Sequence, residues 1–307
     1  MPARARPTAR VGYRPPQMQR IGLVVHPRRP IDGALSTVGT WAGANGVEVA
    51  QVRTPGQDRE IAPEAAAADC DLVVALGGDG TTLAALRVAS AADKPVLGVA
   101  CGSLGALTAT SADDVDDALE RFRTGDWRPR RLPSLAIEGK SGHTAINDLV
   151  VVRHGAGQVA VSVFVDEQLF VRFSGDGVVV ATPLGSSAYT LAAGGPILAP
   201  GSASLVVTPL APHGGCCPPL VTGPDQTVRI VLEPGWGGAR VELDGQIDDV
   251  VDPYETIELE ARLRSGDATL VALGGEEPML AGLRRRKILM DSPRMLAREV
   301  RNPVDRV

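Results

Sequence analysis

Residues 77–81 place three glycines, a carboxylate and a hydroxyl after a buried strand. They read Gly-Gly-Asp-Gly-Thr and follow the apolar run "DLVVALGG" at 71–78. Glycines let a ligand approach the backbone closely, and the N-terminus of the following helix offers free N–H groups and a positive dipole end to a phosphate. A carboxylate repels a phosphate, so an aspartate beside a phosphate site is expected to have a chemical role. Asp79 is expected to accept a proton from an attacking hydroxyl or to hold Mg²⁺. The alternative is a tight strand-to-helix turn in which glycine serves geometry alone.

A second stretch, residues 175–200, is rich in small residues and hydroxyls. It reads "GDGVVVATPLGSSAYTLAAGGPILAP". Asp176-Gly177 by itself predicts an ordinary hairpin turn. Beyond that turn, the segment around Tyr189 carries Ser, Ala and Gly where a core helix would carry Leu and Ile. Small residues allow a flat ring to approach the backbone, so this segment predicts a nucleoside pocket.

The elements that must position these residues alternate between strand and helix up to about residue 130. Apolar runs predict buried strands at 21–25, 47–53, 71–78 and 94–100, and helices at 32–44, 81–90 and 112–125 fall between or after them. This alternation is typical of a mostly parallel sheet with helices on its faces, in which ligands bind at the carboxyl ends of the strands. We therefore predict an α/β domain over residues 21–130, with the glycine-rich turn at its ligand-binding edge.

The pattern changes to short strands separated by Gly, Pro and Asp turns over residues 131–272. Many of these strands alternate apolar with polar residues, which predicts a β-sandwich. Residues 273–307 return to a helical composition and are expected to pack back on the α/β domain. Residues 1–20 carry five arginines and no acidic residue, and we interpret them as a disordered basic tail. A targeting arm, or a true start at Met18, are the alternatives.

Composition limits the classes of partner. The 307 residues carry a net charge of −5, which argues against nucleic acid or an anionic membrane as the main partner. No apolar run approaches the roughly 18 to 20 residues of a membrane-spanning helix. The four cysteines lack C-x-x-C spacing, so no zinc site is predicted, and a reduced, cytoplasmic setting is expected. The last glycine of the turn is followed by Thr81 and not by a lysine, so residues 77–81 do not form a Walker A loop.

Taken together, the motifs resemble the NAD kinase family. The similar motifs are "GGDGT" (77–81), "ND" (147–148), "DGVVVATPLGSSAYTLAAGGP" (176–196), "PH" (212–213) and "DGQ" (244–246). The resemblance implies an α/β Rossmann-like domain followed by a mainly-β sandwich domain. It implies phosphorylation of NAD at the 2′-hydroxyl of its adenosine ribose, with ATP or polyphosphate as donor and Mg²⁺ or another divalent cation. It also implies a homo-oligomer formed through the β-rich domain.

The same resemblance implies roles for single residues. Asp79 would be the catalytic base, and Gly77, Gly78, Gly80 and Thr81 would surround the donor phosphates. The expected contacts to the dinucleotide are Asn147, Asp148, Asp176, Ser187, Ala188, Tyr189, Ala192, His213 and Gln246. Asp176 would lie near the nicotinamide, and the stretch ending at Tyr189 would face the adenosine. For His213, a loop histidine without a special role is the alternative.

Several positions depart from the family pattern. Ala100 stands in place of Asn, Ala106 of Phe, Asp148 of Glu, Leu184 of Thr and Ala192 of Ser. Each lost hydrogen bond would weaken binding by on the order of 1 kcal/mol. Two other functions therefore stay open: a kinase of the same superfamily that acts on a lipid, sugar or nucleoside, and a dinucleotide-binding sensor without turnover.

Overall fold

The computed structural model describes residues 18–56, 59–139, 143–199, 201–275 and 279–295. Most of the predicted basic tail, residues 1–17, lies outside the described residues. Met18 is buried in the core of the α/β part, and the first strand begins at Arg20. None of the described helices is long and apolar enough to cross a membrane.

The α/β part is built around a parallel sheet. Strands β2, β1, β3 and β4 pair in that spatial order, all in parallel. The elements are β1 (Arg20–Val25), α1 (Asp32–Asn45), β2 (Glu48–Gln51), β3 (Leu72–Gly77), α2 (Asp79–Ser90), β4 (Pro95–Ala100), β5 (Thr110–Ser111) and α3 (Val115–Thr124). Every residue of β3 is buried, as expected for a strand covered on both faces. Because β3 ends at Gly77 and α2 begins at Asp79, the glycine-rich turn lies at the carboxyl edge of the sheet.

The β-rich part contains a six-stranded antiparallel sheet in the spatial order β13-β12-β11-β8-β15-β16. A second layer, with the order β10-β9-β14-β17, packs against it and encloses one hydrophobic core. The elements are β6 (Arg128–Glu138), β7 (His143–Ala145), β8 (Asp148–Arg153), β9 (Val159–Val165), β10 (Gln168–Gly175), β11 (Gly177–Ala181), α4 (Tyr189–Ala192), β12 (Val206–Leu210), β13 (Leu220–Val221), β14 (Val228–Pro234), β15 (Ala239–Leu243), β16 (Gln246–Val251) and β17 (Ile257–Ala272).

One long strand joins the two parts. The first residues of β17 pair antiparallel with β14, and Thr269 and Leu270 near its other end pair in parallel with β4. Strand β6 pairs with β17 along both regions. The sequence pattern predicts two strands where β17 is one, because a glycine and charged residues interrupt the apolar alternation at 264–267. The boundary predicted at residue 130 lies inside β6.

The described residues after Leu273 belong to a second compact unit. It contains α5 (Met279–Arg285), and Arg284 in this helix pairs with Asp291 after it. The expected packing of this segment on the α/β domain stays a prediction.

Candidate functional site

Close contacts explain two of the three glycines of the 77–81 turn. None of the three has a positive φ angle, so backbone handedness does not explain them. A Cβ atom at Gly77 would collide with the Thr81 side chain, and one at Gly78 would lie 3.1 Å from Arg29 Nη1. Gly80 faces open space with no atom within 4 Å of a Cβ position. The turn therefore leaves room for a ligand beside Gly80 and holds Thr81 against the strand.

Asp79 is half-buried, and a neighbouring loop orients its carboxylate. Oδ2 accepts a hydrogen bond from the backbone N–H of Ala106 at 2.9 Å, and Oδ1 accepts one from Leu107 at 2.8 Å. A Cβ atom at Gly105 would collide with the same carboxylate, which explains the glycine there. A carboxylate has about four acceptor positions, so two stay available. Because main-chain atoms make these contacts, replacing Phe by Ala at position 106 leaves them intact.

Asp79 lines a pocket of about 290 Å³ that both parts of the chain form. The pocket brings together five of the predicted site residues: Gly78, Asp79, Gly80, Thr81 and Gln246. The pocket is also lined by residues that sequence reasoning did not single out, among them His26, Pro27, Arg29 and Ala84. Gln246, the first residue of β16, is the contribution of the β-rich part. The two motifs "GGDGT" and "DGQ" thus meet at one site.

Asp244 pins the loop that carries Asn147 and Asp148. Its carboxylate accepts backbone N–H groups of Ile146 at 3.0 Å, Asn147 at 2.6 Å and Asp148 at 3.3 Å. In return, the Asp244 N–H donates to the Asp148 carbonyl at 3.0 Å. Asp244 has a φ of 53°, at the hairpin between β15 and β16. The sequence pattern predicts one strand over this region, whereas the Asp244 contacts separate β7 from β8.

The two predicted dinucleotide contacts in this loop have unusual environments. The Asn147 Oδ1 atom is buried and has no hydrogen-bond partner among the described residues. An unpartnered buried acceptor of this kind suits a hydroxyl donor from a ligand. Burial, together with the nearby carboxylates of Asp244 and Glu242, raises the pKa of Asp148 to about 7. Burial also raises the pKa of Asp244, against the effect of the backbone N–H groups that it accepts.

Arg87 connects helix α2 to the β15–β16 hairpin. Its Nη1 donates to the Leu243 carbonyl at 3.2 Å, and its Nη2 lies 3.8 Å from Asp248 Oδ1. Both charged side chains are mostly buried, with 16% and 12% of their surface exposed. The helix that begins with Asp79 is therefore tied to the hairpin that carries Asp244 and Gln246.

Asp176 and Tyr189 lie in a separate pocket of about 470 Å³. Asp176 pairs with Arg153 at 2.6 Å, and Arg240 also lines this pocket. Asp148 and Arg153 stand at opposite ends of β8, about 16 Å apart along the strand, and Asp176 does not line the Asp79 pocket. A single chain therefore does not bring Asp176 into the Asp79 pocket.

The remaining predicted residues lie near the segment between β11 and β12 or at the sheet edge. Ser187 and Ala188 are half-buried, and the Ser187 hydroxyl donates to the Leu184 carbonyl at 3.0 Å. Ala192 is exposed. His213 is exposed, donates its backbone N–H to the Ser174 carbonyl at 2.8 Å, and contacts Gln158 with its ring. Ser187, Ala188, Ala192 and His213 line neither pocket.

Among the described residues, no cluster of three His, Cys, Asp or Glu side chains could hold a metal ion. Mg²⁺ at a phosphoryl-transfer site needs only one or two carboxylates, since substrate phosphates and water supply its other ligands. The Asp79 carboxylate has unused acceptor positions in the pocket, so the residues present fit an ion that arrives with a nucleotide.

Comparison with known proteins matches both parts of the chain. Residues 21–127 match the family described as "ATP-NAD kinase N-terminal domain", and residues 146–273 match "ATP-NAD kinase C-terminal domain". NAD kinase 1 of Streptomyces coelicolor is 33% identical over an alignment of 326 residues including gaps, and the alignment covers 91% of this chain and 88% of that protein. The NAD kinase of Gemmatimonas aurantiaca is 39% identical over 195 residues, covering 61% of this chain and 68% of that protein.

Two solved structures share the fold. Yeast NADH kinase complexed with NADH aligns with a TM-score of 0.73 and 21% identity, covering 90% of this chain and 89% of that one. An NAD kinase from Archaeoglobus fulgidus in complex with ATP aligns with a TM-score of 0.66 and 23% identity, covering 87% of this chain and 99% of that one.

Proposed function

The chain belongs to the NAD kinase family, and from this premise we propose how its own residues transfer a phosphoryl group from ATP to NAD. The acceptor atom is the 2′-hydroxyl oxygen of the adenosine ribose, and the products are NADP and ADP. The observation that carries the assignment of residues is the shared pocket, where Asp79, the first turn of α2 and Gln246 meet.

The donor phosphates are bound by the first turn of α2. Its backbone N–H groups have no intrahelical partners, and the helix dipole adds a partial positive charge beside Gly78, Gly80 and Thr81. Gly80 leaves space for close approach of a phosphate to the backbone. Phosphoryl transfer needs little covalent work from the protein, so this positioning and charge complementarity supply most of the catalysis.

Asp79 accepts the proton of the ribose hydroxyl. The N–H groups of Ala106 and Leu107 hold its carboxylate in a fixed direction, which is the pre-organisation a general base requires. As the ribose oxygen forms its bond to phosphorus, the bond to the ADP oxygen breaks and the proton passes to Asp79. A divalent cation bound with ATP, held by the phosphates and by the Asp79 carboxylate, would neutralise charge on the transferring group.

The acceptor is oriented from the β-rich part. The unpartnered Asn147 Oδ1 accepts a hydroxyl of the dinucleotide, and Asp148 and Gln246 complete this side. Asp176, in the separate pocket, stays the proposed contact for the nicotinamide half, and Ser187, Ala188 and Tyr189 stay the proposed contacts for the adenosine half. Ala192 and His213 stay proposed contacts to the dinucleotide. Exposed apolar side chains on the edge strand β16, Ile247 and Val250, support association of copies through the β-rich part. The four free cysteines support a cytoplasmic setting.

Incubation of the purified protein with NAD, ATP and Mg²⁺ tests the function, with NADP as the measured product. Asp79→Asn should lower kcat by about 10²-fold or more, since a general base contributes roughly that factor. Asp116→Asn is the matched control, because Asp116 also stands in the first turn of a helix but lines neither pocket.

Wild-type protein that forms no NADP would rule out the proposed function. Unchanged turnover in Asp79→Asn would rule out the assignment of the base. The same assay with NADH, a diacylglycerol and a nucleoside as acceptors distinguishes a different kinase, and dinucleotide binding without any product would indicate a sensor.

A further inference from the structure

The loop between β1 and α1 forms the wall of the Asp79 pocket that faces the glycine-rich turn. The His26 ring organises this loop, because its Nδ1 accepts the backbone N–H groups of Arg28 at 3.1 Å and Arg29 at 3.0 Å. Nδ1 can accept these bonds only when it carries no proton. Burial lowers the pKa of His26, as do the charges of Arg29 and Arg28, which favours this neutral form. The loop is therefore held in one shape while both arginine side chains stay free to point elsewhere.

Arg29 lies across two glycine-containing turns. Its Nη1 is 3.1 Å from the position that a Cβ atom would take at Gly78 and 3.5 Å from that position at Gly102. Gly78 follows β3 and Gly102 follows β4, so the guanidinium spans the carboxyl ends of two neighbouring strands. A side chain at position 78 would press on the guanidinium. The missing side chain at Gly78 thus leaves room for the guanidinium of Arg29.

The charges around the pocket leave Arg29 available to an anion. Of the described residues that line the pocket, Arg29 is the one cation. The nearby carboxylate of Asp32 is taken by Arg59, which pairs with it at 2.6 Å and also donates to the Arg29 carbonyl at 3.1 Å. No ion pair of Arg29 occurs within the described ranges. A cation beside a helix N-terminus suits a pocket that binds a highly charged phosphate chain.

We propose that Arg29 binds the triphosphate of the donor beside the first turn of α2, so that its guanidinium and the N–H groups of that turn contact neighbouring phosphate oxygens. The inference rests on the proposed function, and it identifies a donor-binding residue outside the family motifs described above. Its planar guanidinium can donate two hydrogen bonds to neighbouring phosphate oxygens. The adjacent Arg28 does not line the pocket and has no such role.

Steady-state kinetics of wild type, Arg29→Ala, Arg29→Lys and Arg28→Ala test the proposal. In Arg29→Ala the KM for ATP should rise about 10- to 100-fold, the range expected for a lost charge-assisted bond, while the KM for NAD stays within about twofold. Arg29→Lys should fall between wild type and Arg29→Ala, because lysine keeps the charge without the planar fork. Arg28→Ala should match wild type, and circular dichroism checks that all variants fold.

Calorimetric titration with inorganic tripolyphosphate separates this inference from the function itself. Weaker binding by Arg29→Ala than by Arg28→Ala supports the inference, and equal binding overturns it, whether or not NADP is formed. If wild type makes NADP and Arg29→Ala keeps its KM for ATP, the inference fails and the function stands. A rise in the KM for NAD alone also overturns it, since Arg29 would then contact the acceptor.

Discussion

Residues 106–107 and residues 146–148 belong to two loops, each held by the carboxylate of an aspartate that is distant in sequence. The two carboxylates have different roles. Asp79 accepts two backbone N–H groups from residues 106 and 107 and still lines the pocket. Asp244 accepts three from residues 146–148 and lines neither the Asp79 pocket nor the Asp176–Tyr189 pocket. The local chemistry is the same, a carboxylate that satisfies the amides of a distant loop. Its place in the pocket makes Asp79 available for reaction, whereas Asp244, which lies outside the pocket, has a structural task.

Removing each carboxylate gives the sharpest test of this difference. Asp244→Ala leaves three backbone N–H groups without their acceptor and should lower the free energy of unfolding by about 5 kcal/mol. Asp79→Ala exposes its two amide partners to water and should change it by about 1 kcal/mol or less while abolishing turnover. Urea denaturation of both variants measures the two values. Equal destabilisation would contradict the contrast.

The pH dependence of stability tests the burial of Asp148, beside Asp244. Its carboxyl keeps its proton to about pH 7 in the folded state, whereas its ordinary pKa is 3.8. The unfolded chain therefore releases this proton first, and the free energy of unfolding should fall by up to about 4 kcal/mol as pH rises from 4 to 7, then level off. In Asp148→Asn this fall should become much smaller in urea denaturation series. A wild-type slope in that variant would show that other groups cause it.

Substitution of Arg87 tests whether helix α2 and the β15–β16 hairpin depend on each other. Arg87→Ala removes the bond to the Leu243 carbonyl and should lower the free energy of unfolding by about 2 kcal/mol. Because the hairpin also positions Asp244 and Gln246, the KM for NAD should rise more than the KM for ATP. Arg123→Ala is the control, since its pair with Glu120 is on the surface and contributes little. An unchanged KM for NAD would show that the hairpin keeps its position without the contact to helix α2.

Much of the donor side can be predicted from the sequence. The apolar run at 71–76 predicts a buried strand, and the turn after it must lie at the sheet edge where α2 begins. The reason for each glycine could not be predicted. Collisions with Thr81 and the Asp79 carboxylate, rather than positive φ angles, require glycine at 77 and 105, and the close approach of Arg29 favours glycine at 78.

The partners of the reactive groups lie far away along the chain. The amides that hold Asp79 are 27 and 28 positions distant, and those that Asp244 accepts are up to 98 positions distant. Backbone N–H groups carry no side-chain signature, so no motif points to them. The sequence does not point to Arg29 for a related reason. An arginine in a loop has the pattern of an ordinary solvated charge, and only its neighbours in the structure distinguish it.

The amino-acid order alone determined the strand–helix alternation, the placement of Asp79 at a helix start and the family motifs, since these depend on contacts between residues close in sequence. Only the tertiary structure decided that β17 pairs with both β4 and β14, that Asp79 but not Asp244 lines the pocket, and that Asp176 lies apart from Asp79. These features depend on which distant segments pack together, and access to a pocket, more than residue type, sets whether a carboxylate reacts or supports the fold.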